Sequence, residues 1–224
     1  MSRDSKWDVK KEDATNMARA AELVDLIAAL TAIDHATVTR HARFVREAGY
    51  LSQTGRGLSA AHMTAGDAAH LLVAILNNGI AQEAVTILKH IGNMDVFKAD
   101  VDKVQENASP DMLARLRGIL PVLLDREHTF VEMLTGVLEL ATLAPAMFEE
   151  RTRNSSIYFD CDDYQALVYF DINLADVPMI CERQTSFQYS YSHPNLQPKS
   201  QHFKKSTQLD FTGIARIGEL IARK

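Results

Sequence analysis

Apolar residues near the N-terminus follow a helical spacing that breaks once and then resumes. From Thr15 onward they lie three and four residues apart as far as Thr31, which predicts an amphipathic helix. The run AIDHAT interrupts this spacing, and Asp34 within it is a typical N-cap residue for a second helix near His35–Ala48. Gly49 stands where a glycine commonly follows a helix C-terminus. The sequence therefore predicts a helix, a short turn and a second helix.

The second predicted helix and the residues after it concentrate positive charge in an acidic chain. The 224 residues include 24 Lys and Arg against 29 Asp and Glu, a formal net charge of −5 at pH 7. Between Thr37 and His62, however, four arginines stand against one glutamate, which gives this stretch a charge of +3. An acidic protein with one basic face is compatible with nucleic-acid binding, because attraction to phosphate acts locally.

On the second helix, the spacing of Val38, Ala42 and Val45 points them inward and leaves polar side chains on the other faces. Threonine hydroxyls can bond phosphates, a threonine methyl can contact thymine, and arginine can clamp a phosphate or make two hydrogen bonds to guanine. A helix of this diameter fits the major groove of DNA. The candidate DNA-contacting residues on this helix are Thr37, Thr39, Arg40, Arg43 and Arg46.

After the second helix, a strand-like stretch, a glycine-bounded tip and a second extended stretch predict a short β-hairpin. Gly55 and Gly57 allow a tight turn, and Arg56 between them can enter the minor groove, where negative potential is concentrated. Thr64 then begins a third helix, because Asp67 lies where a carboxylate meets free backbone N–H groups. The candidate contacts around the hairpin are Gln53, Thr54, Arg56, Ser59 and His62.

The segments ATVTRHARFVREAGYL and TGRG together resemble the recognition helix and wing of bacterial winged helix-turn-helix transcriptional regulators. The continuation GRGLSAAHMTAGDAAHLLVAIL is similar to regulators carried by phages and other mobile elements. This resemblance covers residues 16–78 and implies sequence-specific DNA binding as a homodimer. It implies major-groove contacts from Thr37, Thr39, Arg40 and Arg43, and a wing contact from Arg56. One departure from the family is that no separate short first helix is obvious.

In the remaining sequence, the spacing of apolar residues changes at about Arg151. Before it the spacing is helical, and after it aromatic and aliphatic residues alternate, which predicts antiparallel strands. Before that point the candidate helices are 81–92, 97–106, 109–119 and 122–142, and after it the run DFTGIARIGELIARK predicts a closing amphipathic helix. The aromatic residues favour a sheet core packed by this last helix over a ligand pocket. The predicted fold class is α+β and mostly helical, with a small antiparallel sheet near the C-terminus.

Three domains are predicted. They are a winged helix-turn-helix domain in residues 1–78, a helical linker or dimerisation region in 79–150, and a small α+β domain in 151–224 that carries the sheet and the C-terminal helix. A small-molecule or protein effector at the C-terminal domain stays open at this point.

Other classes of function find less support in the sequence. Cys161 and Cys181 have no CxxC spacing, and the run FDCDDY matches no known metal loop, so no disulfide framework, metal or cofactor is expected. The chain has no nucleotide-binding glycine loop, nucleophile elbow or HExxH pair, so an enzyme with catalytic residues is not expected. No apolar run approaches the roughly 18 residues that span a membrane, and the first residues are too charged for a signal peptide. A cytoplasmic protein is predicted.

The leading hypothesis is a transcriptional regulator that binds an inverted repeat in double-stranded DNA as a homodimer. Its recognition helix, about 35–48, would lie in the major groove, and its wing, 53–59, on the minor groove or backbone. An arginine-rich helix is often only a solvated face, but the glycine-flanked Arg56 favours DNA binding. The alternative is a protein-interaction module that uses the winged-helix scaffold to bind another regulatory or phage protein. His41, beside the inward stripe, is interpreted as a packing histidine, and His35 as part of the helix cap.

Overall fold

The computed structural model describes residues 19–53, 62–76, 80–99, 128–143, 145–152, 155–160, 165–173, 184–192 and 206–223. The helices are α1 (Ala20–Thr31), α2 (His35–Glu47), α3 (Ala65–Leu76), α4 (Ala84–Ile91), α5 (Phe130–Leu143), α6 (Pro145–Arg151) and α7 (Phe211–Ala222), with a 3₁₀ turn at Ala81–Glu83 before α4. The strands are β1 (Asp95–Ala99), β2 (Ser156–Asp160), β3 (Gln165–Asn173), β4 (Gln184–Ser192) and β5 (Ser206–Asp210).

The turn between α1 and α2 is short because Ala32 adopts a left-handed conformation, with φ 54° and ψ 21°. Asp34 then caps α2, since its carboxylate accepts a hydrogen bond from the Thr37 backbone N–H at 3.1 Å. His35 reaches back to α1, where its Nε2 lies 2.8 Å from Oδ1 of Asp25. The predicted helix, turn and helix are confirmed, with Asp34 as the cap and His35 joining the two helices, but α1 begins at Ala20, after the extended Arg19, and not at Thr15.

The C-terminus of α2 ends in a Schellman motif. The Gly49 N–H donates to the Arg46 carbonyl and the Tyr50 N–H donates to the Val45 carbonyl, both at 3.0 Å. Gly49 has a φ of 83°, a backbone conformation that favours glycine. The predicted position of Gly49 after the helix is confirmed, and the motif aims the chain toward the predicted hairpin.

The described flanks of that hairpin, residues 51–53 and 62–64, form no β-strand. Their polar groups bond to Asp67 instead of pairing across strands: the Ser52 N–H donates to its carboxylate at 2.6 Å and the Thr64 N–H at 2.8 Å. The strand prediction is therefore wrong over these flanks. The tip of the predicted hairpin, residues 54–61, lies outside the described residues.

Helices from both ends of the chain share one hydrophobic core. Helix α3 is buried on nearly every side, and α5 packs against both α3 and α7. The rings of Phe148 and Phe211 stack with their centroids 5.7 Å apart, which joins α6 to the start of α7. The largest side chains in this core are Phe130, Phe211, Leu23, Ile27, Met63, Leu71 and Leu72.

The strands pair antiparallel in the order β1-β4-β3-β2-β5. Strands β3 and β4 pair along their full length, from Gln165 opposite Ser192 to Asn173 opposite Gln184. Strand β1 pairs with β4 although it precedes α5 in the chain. The helix predicted at 97–106 is therefore wrong where β1 lies, because pairing with β4, about ninety residues away in sequence, overrides the local spacing.

The predicted fold class, α+β and mostly helical with a small antiparallel sheet and a C-terminal helix, is wrong, because the core that the structure describes is built almost entirely from helices. Most of the side chains that the structure describes lie on helices, and among them Ile157 is the one strand residue in the core. Helix α7 is predicted to pack on the sheet, but it packs mainly on α5 and α6 and also contacts α1, β5 and α3. Its apolar residues therefore complete a helical core. The division of the chain at 78 and 150 stays a prediction.

Candidate nucleic-acid interface

Helix α2 presents one face to the core and the other to solvent. The buried face consists of Val38, His41, Ala42 and Val45 and packs against α1, α3 and α4. Arg40, Arg43 and Glu47 are exposed on the opposite face, and Arg46 is exposed on its flank. The helix is thus held from behind, and its arginines face outward.

Arg43 and Glu47 form an ion pair one helical turn apart. The Arg43 Nε lies 2.7 Å from the Glu47 Oε1, with 68% of the arginine side chain and 53% of the glutamate side chain exposed. The hydrogen bond to Glu47, together with its negative charge, raises the pKa of Arg43 above its ordinary value. Within the described part of the chain, Arg40 and Arg46 form no ion pair. The outward face therefore holds one arginine paired by a carboxylate and two that are not.

The hydroxyl groups of Thr37 and Thr39 form hydrogen bonds with residues at the start of α2. The Thr39 hydroxyl donates to the His35 carbonyl at 2.8 Å, and the Thr37 hydroxyl lies 3.4 Å from the Asp34 carboxylate. Thr39 is exposed, so its methyl group stays available for the predicted thymine contact. In this arrangement both hydroxyl hydrogens point toward protein oxygens rather than toward a ligand.

Gln53 and His62 lie in the described flanks of the predicted wing. The Gln53 side-chain amide donates to the Arg46 carbonyl, so Gln53 is tied to the C-terminus of α2. His62 is partly buried, with its Nδ1 3.0 Å from the Met63 carbonyl. Three other predicted contacts lie outside the described residues, namely Thr54, Arg56 and Ser59.

Asp67 joins the two ends of the predicted wing, a role that the sequence reasoning missed. Its carboxylate is buried and accepts four hydrogen bonds, from the backbone N–H and the hydroxyl of both Ser52 and Thr64. The predicted Thr64 cap is confirmed by the Asp67 N–H, which donates to the Thr64 hydroxyl at 3.1 Å. The bond to Ser52 spans fifteen positions of sequence, so the capping pattern alone could not reveal it. Asp67 therefore ties Ser52 to Thr64, the residues on either side of the predicted wing.

A cavity of about 450 Å³ opens beside this carboxylate, between the end of α2 and the start of α3. Tyr50 and His70 lie on its wall with ring centroids 5.4 Å apart and planes tilted by 58°. Burial lowers the pKa of His70 from its ordinary 6.5, against the opposing influence of the Asp67 carboxylate and a hydrogen bond with the Tyr50 backbone. The neutral imidazole is therefore the form that the folded protein favours.

His41 packs inside the protein, which confirms its interpretation as a packing histidine. It is 1% exposed, and its Nδ1 lies 2.8 Å from the Thr37 carbonyl. Its Nε2 is buried and has no hydrogen-bond partner among the residues described. His41 is thus part of the support of α2 and not of its outward face.

Among the described ranges, no group of three or more His, Cys, Asp or Glu side chains is placed to hold a metal ion. Most of the Asp-rich run singled out in the sequence, residues 161–164, lies outside those ranges. In the described part of the chain, no helix combines the length and apolar character needed to cross a membrane.

Comparison with known proteins found no matching family model, no matching curated protein and no matching solved structure. The assignment of a function therefore depends on the geometry of α2 and its surroundings.

Proposed function

We propose that this protein is a sequence-specific DNA-binding transcriptional regulator of the winged helix-turn-helix type, and that α2 is its recognition helix. The observation that supports this most is the row of Arg40, Arg43 and Arg46 on a helix whose opposite face is buried in the core. A helix held from behind can enter a groove as a rigid unit, and its arginines meet the DNA without a change of fold.

The spacing of the three arginines suits a major groove. They are three residues apart, so they span roughly 9 Å along the helix axis, the rise of about three base pairs. Each step of three residues also turns the side chain by roughly 60° around the axis. Arg43 therefore projects between Arg40 and Arg46, with one arginine on either side of it. This fan places one cation toward base edges and two toward the phosphate walls.

The proposal includes a homodimer in the cytoplasm that binds an inverted repeat in double-stranded DNA, with Arg56 of the wing at the minor groove. The turn at Ala32 and the short link from α1 to α2 support it, since a helix-turn-helix joins two helices in this way. A small-molecule or protein effector would act through the C-terminal segment.

The test compares purified wild-type protein with the Arg40→Ala/Arg43→Ala variant in binding to fragmented genomic DNA from its own source, followed by sequencing. The matched control is Arg216→Ala/Arg223→Ala, which removes two exposed arginines from α7 and its C-terminus. We expect wild type and control to enrich the same palindromic site, and the α2 variant to bind it roughly 100-fold more weakly, because each lost base or phosphate contact costs about 1–3 kcal/mol. Circular dichroism checks that all three proteins are folded.

Equal enrichment by wild type and the α2 variant would contradict the proposal, as would no enrichment by any of them. In the second case the protein-interaction module becomes the better interpretation. The dependence of binding on salt distinguishes a DNA partner from a protein partner. Binding through several phosphates weakens steeply as salt rises, because counterions are released from the DNA. Binding to another protein through an interface that does not use those arginines need not weaken in this way as salt rises.

A further inference from the structure

We infer that Glu47 is a positioning residue that makes Arg43 the guanine-reading arginine of α2, while Arg40 and Arg46 bind phosphates. The inference deepens the proposed DNA-binding function and rests on it. The two outcomes are separable, because DNA binding requires only the arginines, whereas this assignment requires a carboxylate beside one of them.

The ion pair leaves Arg43 with a defined set of free donors. Its Nε is taken by the Glu47 carboxylate at 2.7 Å. The two terminal nitrogens of the guanidinium point away from Nε and form the fork that matches O6 and N7 of guanine. A side chain held at Nε has already given up part of the rotamer freedom that a free arginine loses on binding. Arg43 thus presents its fork to one base edge in a prepared orientation.

Arg40 and Arg46 differ from Arg43 in this respect. Both are exposed, and neither is held by an ion pair within the described residues. A phosphate accepts hydrogen bonds from many directions, so an unrestrained arginine serves it well. Their positions on either side of Arg43 in the fan fit the same division of roles.

Glu47 also acts against non-specific binding. Its exposed carboxylate lies on the face that would meet the DNA, where phosphates repel it. A favourable contact of Arg43 with guanine offsets this repulsion only at the right sequence. Glu47 therefore raises the ratio of specific to non-specific affinity, although it lowers affinity for DNA in general.

The test selects binding sites from a random duplex pool with wild type, Glu47→Gln and the control Glu139→Gln, which makes the same change on the exposed side of α5. We expect wild type and control to select a half-site with one strongly preferred guanine. Glu47→Gln should keep the other positions, lose at least about tenfold of the preference for that guanine, and bind unrelated DNA more tightly. Arg43→Lys, which has no fork, should lose the preference for the same guanine.

An unchanged guanine preference in Glu47→Gln, with a site still selected by wild type, would overturn this inference and leave the proposed function standing. A preference lost at a base pair other than the one that Arg43→Lys affects would also overturn it, since Glu47 would then read a base itself. No selected site for wild type would overturn both. A rise in affinity for unrelated DNA is a readout that mere loss of structure does not produce.

Discussion

At the scale of single residues, Asp67 determines how the predicted wing is anchored. One of its carboxylate oxygens accepts the Ser52 N–H, and the other accepts the Thr64 N–H and both hydroxyls. Asparagine has one oxygen and one NH2 group, so either orientation of the amide places a donor against a backbone N–H. We expect Asp67→Asn to lower the free energy of unfolding by about 1–3 kcal/mol, the cost of a buried donor without a partner. Urea unfolding measures this change.

The matched control for this substitution is Asp25→Asn in α1. Asp25 is exposed and its carboxylate bonds to the exposed His35 ring, so the same loss of charge should change stability by less than about 0.5 kcal/mol. If Asp67→Asn were no more destabilising than Asp25→Asn, the Asp67 carboxylate would not hold the two flanks together in solution.

At the scale of elements, α5 and α7 pack closely because Gly218 in α7 has no side chain. A Cβ at Gly218 would lie 2.5 Å from the Ala141 carbonyl carbon and 2.6 Å from its Cβ, distances at which the two helices must move apart. We expect Gly218→Ala to destabilise the protein by about 1–3 kcal/mol through overpacking, although alanine favours a helix more than glycine does. Thermal and urea unfolding report this loss.

Gly66→Ala provides the comparison within α3. A Cβ there would meet the Thr64 hydroxyl oxygen at 3.6 Å, which is ordinary contact. With space available, the helix propensity of alanine should leave stability unchanged or raise it by up to about 1 kcal/mol. The prediction is contradicted if both substitutions change stability in the same direction and by similar amounts.

At the scale of the whole molecule, His70 links stability to pH. Burial lowers its pKa from 6.5, so between that value and the lower pKa of the folded state the unfolded chain binds more protons. Its neutral form contributes fully to stability above the unfolded pKa, and this contribution is lost as the pH falls through that interval. We expect the free energy of unfolding to drop more for wild type than for His70→Gln between about pH 7.5 and 5.5.

The internal control for this experiment is the alkaline side, where the imidazole is neutral in both the folded and the unfolded state. There the difference in free energy of unfolding between wild type and His70→Gln should stay constant with pH. If the free energies of unfolding of wild type and His70→Gln also changed in parallel on the acid side, His70 would not couple protonation to folding.

Across the whole molecule, elements whose signals are local were predicted from the sequence, and elements that depend on distant segments were not. The helices α1 and α2, the Asp34 cap and the Gly49 terminus follow from signals within three or four residues, and they are confirmed. The sequence predicted a helix where β1 lies, because the pairing partner of β1, strand β4, is remote in sequence. The residue type predicts Arg43 as a DNA contact, whereas its pairing with Glu47, which the i,i+4 spacing on a helix allows, was not predicted.

The sequence by itself determined that α1 and α2 form and where α2 begins and ends, because capping and amphipathic spacing are local properties of the chain. It also placed positive charge on the outward side of α2. The tertiary structure alone decided that Asp67 bonds Ser52 across fifteen residues, that α7 completes a helical core, and that Gly218 meets Ala141. These contacts depend on how distant segments fold back on one another, and local spacing contains no information about that.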